Sequence, residues 1–196
     1  MEIPQPFILA SSSSARKRVL DQQGIHYIAI ESGLDEASFI ESDPIRRAAL
    51  LAREKAISVA KKYPEAWVCG CDTVLLTATH ELLEKPLDAA DAKRMMRLQS
   101  GQCTTIYTGM CLSTPSSQLV EHSAEARMFF RVLTEDDIQW WFTTQDWAGA
   151  AGAFRSTGRE KLLSAYQGDP TLLDGFSIEF FLNLLQEADP SSDVGS

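Results

Sequence analysis

Apolar residues fall into short runs and helical stripes that alternate along the chain, the arrangement of an α/β protein. Phe7-Ile8-Leu9-Ala10 reads as a short buried strand. Residues 11–15 form a polar serine turn that feeds a helix from about Arg16, closing at Gly24. Residues 28–32 read as another short strand. Ser42-Asp43-Pro44 then caps a long helix, with Pro44 in its first turn and an apolar stripe of Ile45, Ala48, Ala49, Ala52, Ala56 and Val59 that stops before Pro64.

Trp67-Val68-Cys69-Gly70-Cys71-Asp72-Thr73-Val74 is an apolar run broken by one carboxylate, which places Asp72 at the end of a buried strand. Residues 74–77 and Leu82-Leu83 make a hairpin across Thr79-His80, and Asp88 caps a helix that ends at Gly101. Two further strands, 105–113 and 126–132, flank a Pro/Ser loop. Thr134 caps a helix carrying Trp140, Trp141 and Phe142; three neighbours on a helix cannot all face one core, so one of them is expected to cover a lobe interface or a partner. Residues 148–158 carry no period and read as a loop, 175–185 as an apolar helix, and 190–196 as a polar tail expected to be disordered.

Length and charge narrow the classes. At 196 residues, 44% hydrophobic and 23% charged, the chain can bury a full core as one domain. Eighteen Lys plus Arg against 27 Asp plus Glu give a net charge of -9, so the mean field repels nucleic acid and anionic membrane, and attraction for an anionic ligand has to be local. No apolar stretch approaches the ~20 residues that span a bilayer and the first residues lack a leader pattern, so a cytoplasmic protein is expected. Cys69, Cys71, Cys103 and Cys111 show no CxxC and read as packed thiols; His26, His80 and His122 sit in polar contexts, as surface residues do.

The chemistry concentrates in a few segments. The serine turn before Arg16, Lys17 and Arg18 joins hydroxyls, free N–H groups of a helix start and cations, which suits a polyphosphate, although the chain holds no P-loop motif. On a helical wheel Lys55 lies about 20° from Ala48, at the edge of the apolar stripe, whereas Lys61 and Lys62 face water. Glu36 follows the strand at 28–32 and could meet Asp72 and share a magnesium ion, while Lys85-Pro86 places an ammonium after the hairpin. Carboxylates and cations at successive strand ends can hold Mg²⁺ and a polyphosphate together.

In order along the chain stand Ile8-Leu9-Ala10-Ser11-Ser12-Ser13-Ser14-Ala15-Arg16, Asp35-Glu36, Leu51-Ala52-Arg53-Glu54-Lys55-Ala56, Cys71-Asp72-Thr73-Val74, Leu83-Glu84-Lys85-Pro86-Leu87-Asp88, Tyr107-Thr108-Gly109 and Phe130-Arg131-Val132-Leu133-Thr134. Together they resemble the Maf family of nucleoside triphosphate pyrophosphatases over about residues 7–185. The resemblance implies a mixed α/β, two-lobed fold like that of the inosine triphosphatases, with an extended mixed sheet and a cleft between lobes, in one domain over 1–188 with 189–196 as tail. It implies hydrolysis between the α- and β-phosphates with Mg²⁺, or another divalent cation such as Mn²⁺. Ser11, Arg16, Lys55 and Lys85 then look like phosphate ligands, Glu36 and Asp72 like metal ligands, and Asp72 like the base that activates water.

This chain departs from the family pattern where the base is read. Ala15 stands where the signature carries Arg or Trp, and Thr157, in Ala151-Gly152-Ala153-Phe154-Arg155-Ser156-Thr157-Gly158, where Gln or Glu is usual. That segment and Asp169-Pro170 lean toward the branch acting on 7-methyl-GTP; Thr73 after Asp72 leans toward the dTTP/UTP branch. A catalytically weak nucleotide-binding regulator of cell division is the alternative of another class. A small-molecule nucleotide is the expected partner, with no nucleic acid and no membrane, and a homodimer is left open.

Overall fold

The computed structural model describes residues 3–190; residues 191–196 of the expected tail lie outside them. The fold is mixed α/β. Seven strands form one sheet in the order β2-β1-β3-β5-β6-β7, with β4 paired to β3. They are β1 (Phe7–Leu9), β2 (Ile28–Ala29), β3 (Trp67–Thr77), β4 (Leu82–Leu83), β5 (Cys103–Ser113), β6 (Leu119–Phe130) and β7 (Leu163–Gln167). Six α-helices lie among the described residues: α1 (Ser14–Gln22), α2 (Pro44–Ala60), α3 (Ala89–Gln99), α4 (Glu135–Thr143), α5 (Arg159–Leu162) and α6 (Ile178–Ala188). None is long and apolar enough to cross a membrane. The described residues divide into two compact units, one of residues 3–72, 108–124 and 175–190, the other of 73–107 and 125–174.

In the first unit, β1 pairs in parallel with β2 and with β3, Leu9 lying opposite Cys69. Alternation along the strands sorts the side chains onto two faces. Phe7, Leu9, Cys69, Cys71, Met110 and Leu112 meet Val19 and Leu20 of α1 and Phe181, Leu184 and Leu185 of α6. Ile8, Ala10 and Val68 face the other way, against Val59 of α2, and Cys111 meets Ala52 and Ala56. By the same two-residue period Gly70 and Asp72 share the α2 face with Val68.

Helix α2 lies unusually close to the strands beneath it, and two glycines allow this. A Cβ on Gly70 would stand 2.1 Å from the Ala52 carbonyl oxygen, and one on Gly109 would stand 2.4 Å from that of Ala48. The small residues Ala48, Ala52 and Ala56, four apart, form the matching helix stripe. Asp43 caps this helix by accepting from the N–H groups of Ile45 and Arg46, with Pro44 in the first turn as expected. One member of the expected stripe, Ile45, is exposed, because the contact begins one turn later at Ala48, and Leu51, outside that stripe, is buried.

In the second unit, β3 turns antiparallel into β4, Leu75 opposite Leu83, through His80 in the left-handed region at φ 61°. Thr134 and Asp137 form a reciprocal capping box on α4. The aromatic triplet resolves by position: Trp141 is fully buried and donates to the Ala153 carbonyl at 2.8 Å, Phe142 stacks on Trp147, and the half-buried Trp140 lies under the Lys161 ammonium at 3.8 Å.

Three expected boundaries shift. Strand β6 begins at Leu119, not 126, and ends at Phe130, leaving Val132 exposed. The apolar helix α6 starts at Ile178, capped by Ser177, because Gly175 at φ 71° forms the preceding turn. Strand β7 was not expected. It pairs antiparallel with β6 at the sheet border, and Ser164, Ala165 and Gln167 are exposed, so it carries no alternating apolar signal.

Candidate active site

The site in the first unit begins with strand β3. Asp72 stands inside this 11-residue strand, not at its end as the sequence implied. The pairing with β1 closes at Cys69 and that with β4 opens at Leu75, so Asp72 falls between the two paired stretches of one continuous strand. Its carboxylate is buried, and it accepts from the buried Lys55 Nζ at 2.6 Å. Lys55 reaches it because α2 rests on Gly70, two residues before Asp72 on the same face.

The Lys55 ammonium has a second anionic partner. Glu36, in a single 3₁₀ turn (Glu36–Ser38), places Oε1 at 2.8 Å from Nζ. The Lys55 and Asp72 side chains are each 9% exposed and that of Glu36 is 42% exposed, so the ammonium joins a buried carboxylate to one that meets solvent. The two residues expected to bind metal therefore do converge, on one cation. Among the described residues no group of three or more His, Cys, Asp or Glu forms a ready-made metal cage.

A second cluster sits at the start of α1. Ser11 Oγ accepts from the Ser13 N–H at 3.2 Å and from Arg16 Nη1 at 3.1 Å. Arg16 Nε donates to the Gly175 carbonyl at 2.9 Å, which fixes the guanidinium across the turn before α6. Ser13 caps the helix, and Ala15 is buried in its first turn. The Cys71 thiol links the two clusters electrostatically: burial raises it, but its hydrogen bond with Cys69 and the charges of Arg16 and Lys55 outweigh burial and hold it below its ordinary range. Cys69 is pushed up by that same hydrogen bond and by burial. All four cysteines are free, and the expectation of packed thiols fits Cys69, Cys71 and Cys111, which are buried.

The remaining candidates belong to the second unit. Lys85 is exposed two residues after β4, and Thr73 is half-buried beside Asp72 along β3. Thr157 is exposed and donates to Asp146 Oδ2 at 2.6 Å, while Ser156 donates to both oxygens of Asp174 at 2.8 and 2.9 Å. Arg155 grips the carbonyls of Asp146 and Ala148. The presumed loop at 148–158 is thus tied down by Asp146 and Asp174, neither of which the sequence singled out. Asp146 had no local signal in the sequence.

The family profile described as Maf-like protein matches residues 6–188. The chain belongs to the Maf-like family. Relatives of this Maf-like protein include the dTTP/UTP pyrophosphatase of Pyrococcus furiosus, 29% identical with 91% of this chain and 94% of that one covered. The dTTP/UTP pyrophosphatase of Deinococcus radiodurans is 34% identical with 94% of each chain covered, and that of Symbiobacterium thermophilum 35% identical with 84% of each covered. A partial structural likeness links it to the Ham1 protein of Staphylococcus aureus, with a TM-score of 0.43 and 13% identity over 63% of this chain and 71% of that one. The relatives named here carry the dTTP/UTP name, which corrects the lean of the sequence reading toward 7-methyl-GTP.

Proposed function

We propose that this Maf-like protein is a nucleoside triphosphate pyrophosphatase that cleaves dTTP or UTP between the α- and β-phosphates, giving the monophosphate and pyrophosphate. The observation that carries this reading is the Lys55 ammonium, buried and shared by Asp72 and Glu36. A buried lysine with two carboxylates is costly to hold for stability alone, and it places a cation and a base within one contact of each other. The pyrimidine preference rests on the names of relatives that match over most of their length.

The residues divide the work. Asp72 takes the proton of the attacking water as its oxygen bonds to the α-phosphorus. The bond from that phosphorus to the α-β bridging oxygen breaks, and its electron pair leaves with pyrophosphate. Arg16, held by Ser11 and Gly175, and Lys55 meet the phosphate oxygens. The donor set fits magnesium, which binds through one or two carboxylates and completes its shell with water and substrate phosphates; Glu36 and Asp72 would hold it. When bound, the ion neutralises charge on the phosphate oxygens.

The test is product analysis with Mg²⁺ and dTTP, UTP or 7-methyl-GTP supplied separately. Monophosphate and pyrophosphate from the two pyrimidine nucleotides is the expected result. Consumption of 7-methyl-GTP alone, or release of diphosphate and orthophosphate, would overturn it.

A further inference from the structure

Lys55 stands where the metal reading needs space. Its Nζ lies 2.6 Å from Asp72 Oδ1 and 2.8 Å from Glu36 Oε1. A magnesium ion bound to the same two oxygens would sit at about 2.0–2.1 Å from each. A dication drawn to these oxygens would stand within a few ångströms of the ammonium, and the two cations repel. The two carboxylates and the ammonium leave one net negative charge, a weak lure for a dication, whereas the carboxylates without Lys55 offer two.

We propose that Lys55 is a resident counter-cation that the triphosphate draws off Asp72 and Glu36, so that nucleotide and divalent metal bind with positive cooperativity. This rests on the reading that Glu36 and Asp72 hold the metal and Lys55 meets phosphate. The parts suit an exchange. Lysine is a point charge on a flexible four-carbon stem, anchored here in the middle of a 17-residue helix that supplies a fixed pivot. Glu36 is the solvent-facing member of the pair, which gives an incoming ion its approach. An anionic substrate compensates Lys55 as it leaves, so no buried charge is stranded at any stage. The coupling is reciprocal: whatever factor nucleotide adds to metal affinity, metal adds to nucleotide affinity.

The experiment is Mn²⁺ binding to the full chain, read from the paramagnetic resonance of free Mn²⁺, with and without a non-hydrolysable α,β-methylene analogue of UTP. Wild type is expected to bind Mn²⁺ on the order of tenfold or more tightly with the analogue than without it. Lys55→Met should bind Mn²⁺ alone nearly as well as wild type does with the analogue, and lose most of the gain. Arg53→Met, which removes an exposed charge two residues away on the same helix, should change Mn²⁺ affinity by less than about twofold because solvent screens it. Lys55→Gln and the Mn²⁺-dependent rise in melting temperature give the same comparison if Lys55→Met folds poorly. Mn²⁺ binding by Lys55→Met no tighter than wild type, or equally raised in Arg53→Met, would overturn the exchange. Absence of Mn²⁺ binding to wild type that still binds the analogue would instead overturn the underlying metal reading, and the exchange with it.

Discussion

Replacing Gly70 with alanine should damage the site without touching any of its charged groups. The new methyl would lie 2.1 Å from the Ala52 carbonyl oxygen and 2.6 Å from the Ala56 nitrogen, where ordinary contact begins at 3.4 Å. Both obstacles are backbone atoms of α2, so no side chain can rotate away, and the helix has to withdraw by more than about 1 Å. Overpacking of this kind costs about 1–3 kcal/mol, set against a gain of about 0.4–1 kcal/mol from the less flexible unfolded chain. A rigid backbone clash belongs at the upper end, so a net loss of about 2 kcal/mol is expected. With a urea slope of about 2 kcal/mol/M, the unfolding midpoint should fall by about 1 M. Withdrawal of α2 also stretches the 2.6 Å contact between Lys55 and Asp72, and a misplacement of about 1 Å costs on the order of 10²-fold in turnover. Equilibrium unfolding in urea and pyrophosphate release, measured on one preparation, read both effects. A variant as stable as wild type, with unaltered turnover, would refute the claim that Gly70 seats the helix carrying Lys55.

Two further outcomes follow from the same structure. Asp137 is held well below the usual carboxylate range, by the Arg131 guanidinium first and then by the backbone N–H and hydroxyl of Thr134. A lowered acid stabilises the fold above its unfolded value near 3.9, and that contribution is lost as pH falls through the lowered value. Asp137→Ala should therefore cost about 1 kcal/mol at pH 7 through the lost cap, with the gap from wild type closing only below about pH 4 in thermal melts. Burial pushes the Cys111 thiol up to about 12 and raises Cys103 less, and Cys111 is fully buried while Cys103 is partly open. Native alkylation with iodoacetamide at pH 8, mapped by mass spectrometry, should modify Cys103 slowly and leave Cys111 unmodified until the protein unfolds.

Local signals account for what the sequence revealed. Asp43, Asp88 and Thr134 each cap the helix they were expected to cap, and the turn at His80 joins the two strands it was expected to join. Lys55 was legible as the cation nearest the apolar stripe, and burial beside Asp72 follows from that angle. What escaped has little local signal. Strand β7 takes its conformation from β6, with most of its own side chains in water. Gly70 and Gly109 matter only through a helix packed across them, a contact visible in three dimensions. Segment 151–158, which supported the lean to 7-methyl-GTP, binds Asp146 and Asp174 through Thr157 and Ser156, so its residue types report local bonding as well as any ligand.

The Asp72 centre is proposed to hydrolyse a pyrimidine nucleoside triphosphate. Turnover of dTTP with Mg²⁺ by Asp72→Asn, beside binding of the α,β-methylene analogue of UTP, tests it most directly, since the change removes a charge and a base with little change of shape. Turnover should be abolished while magnesium-nucleotide binding stays within about tenfold, or roughly 1.4 kcal/mol. Turnover equal to wild type would contradict it.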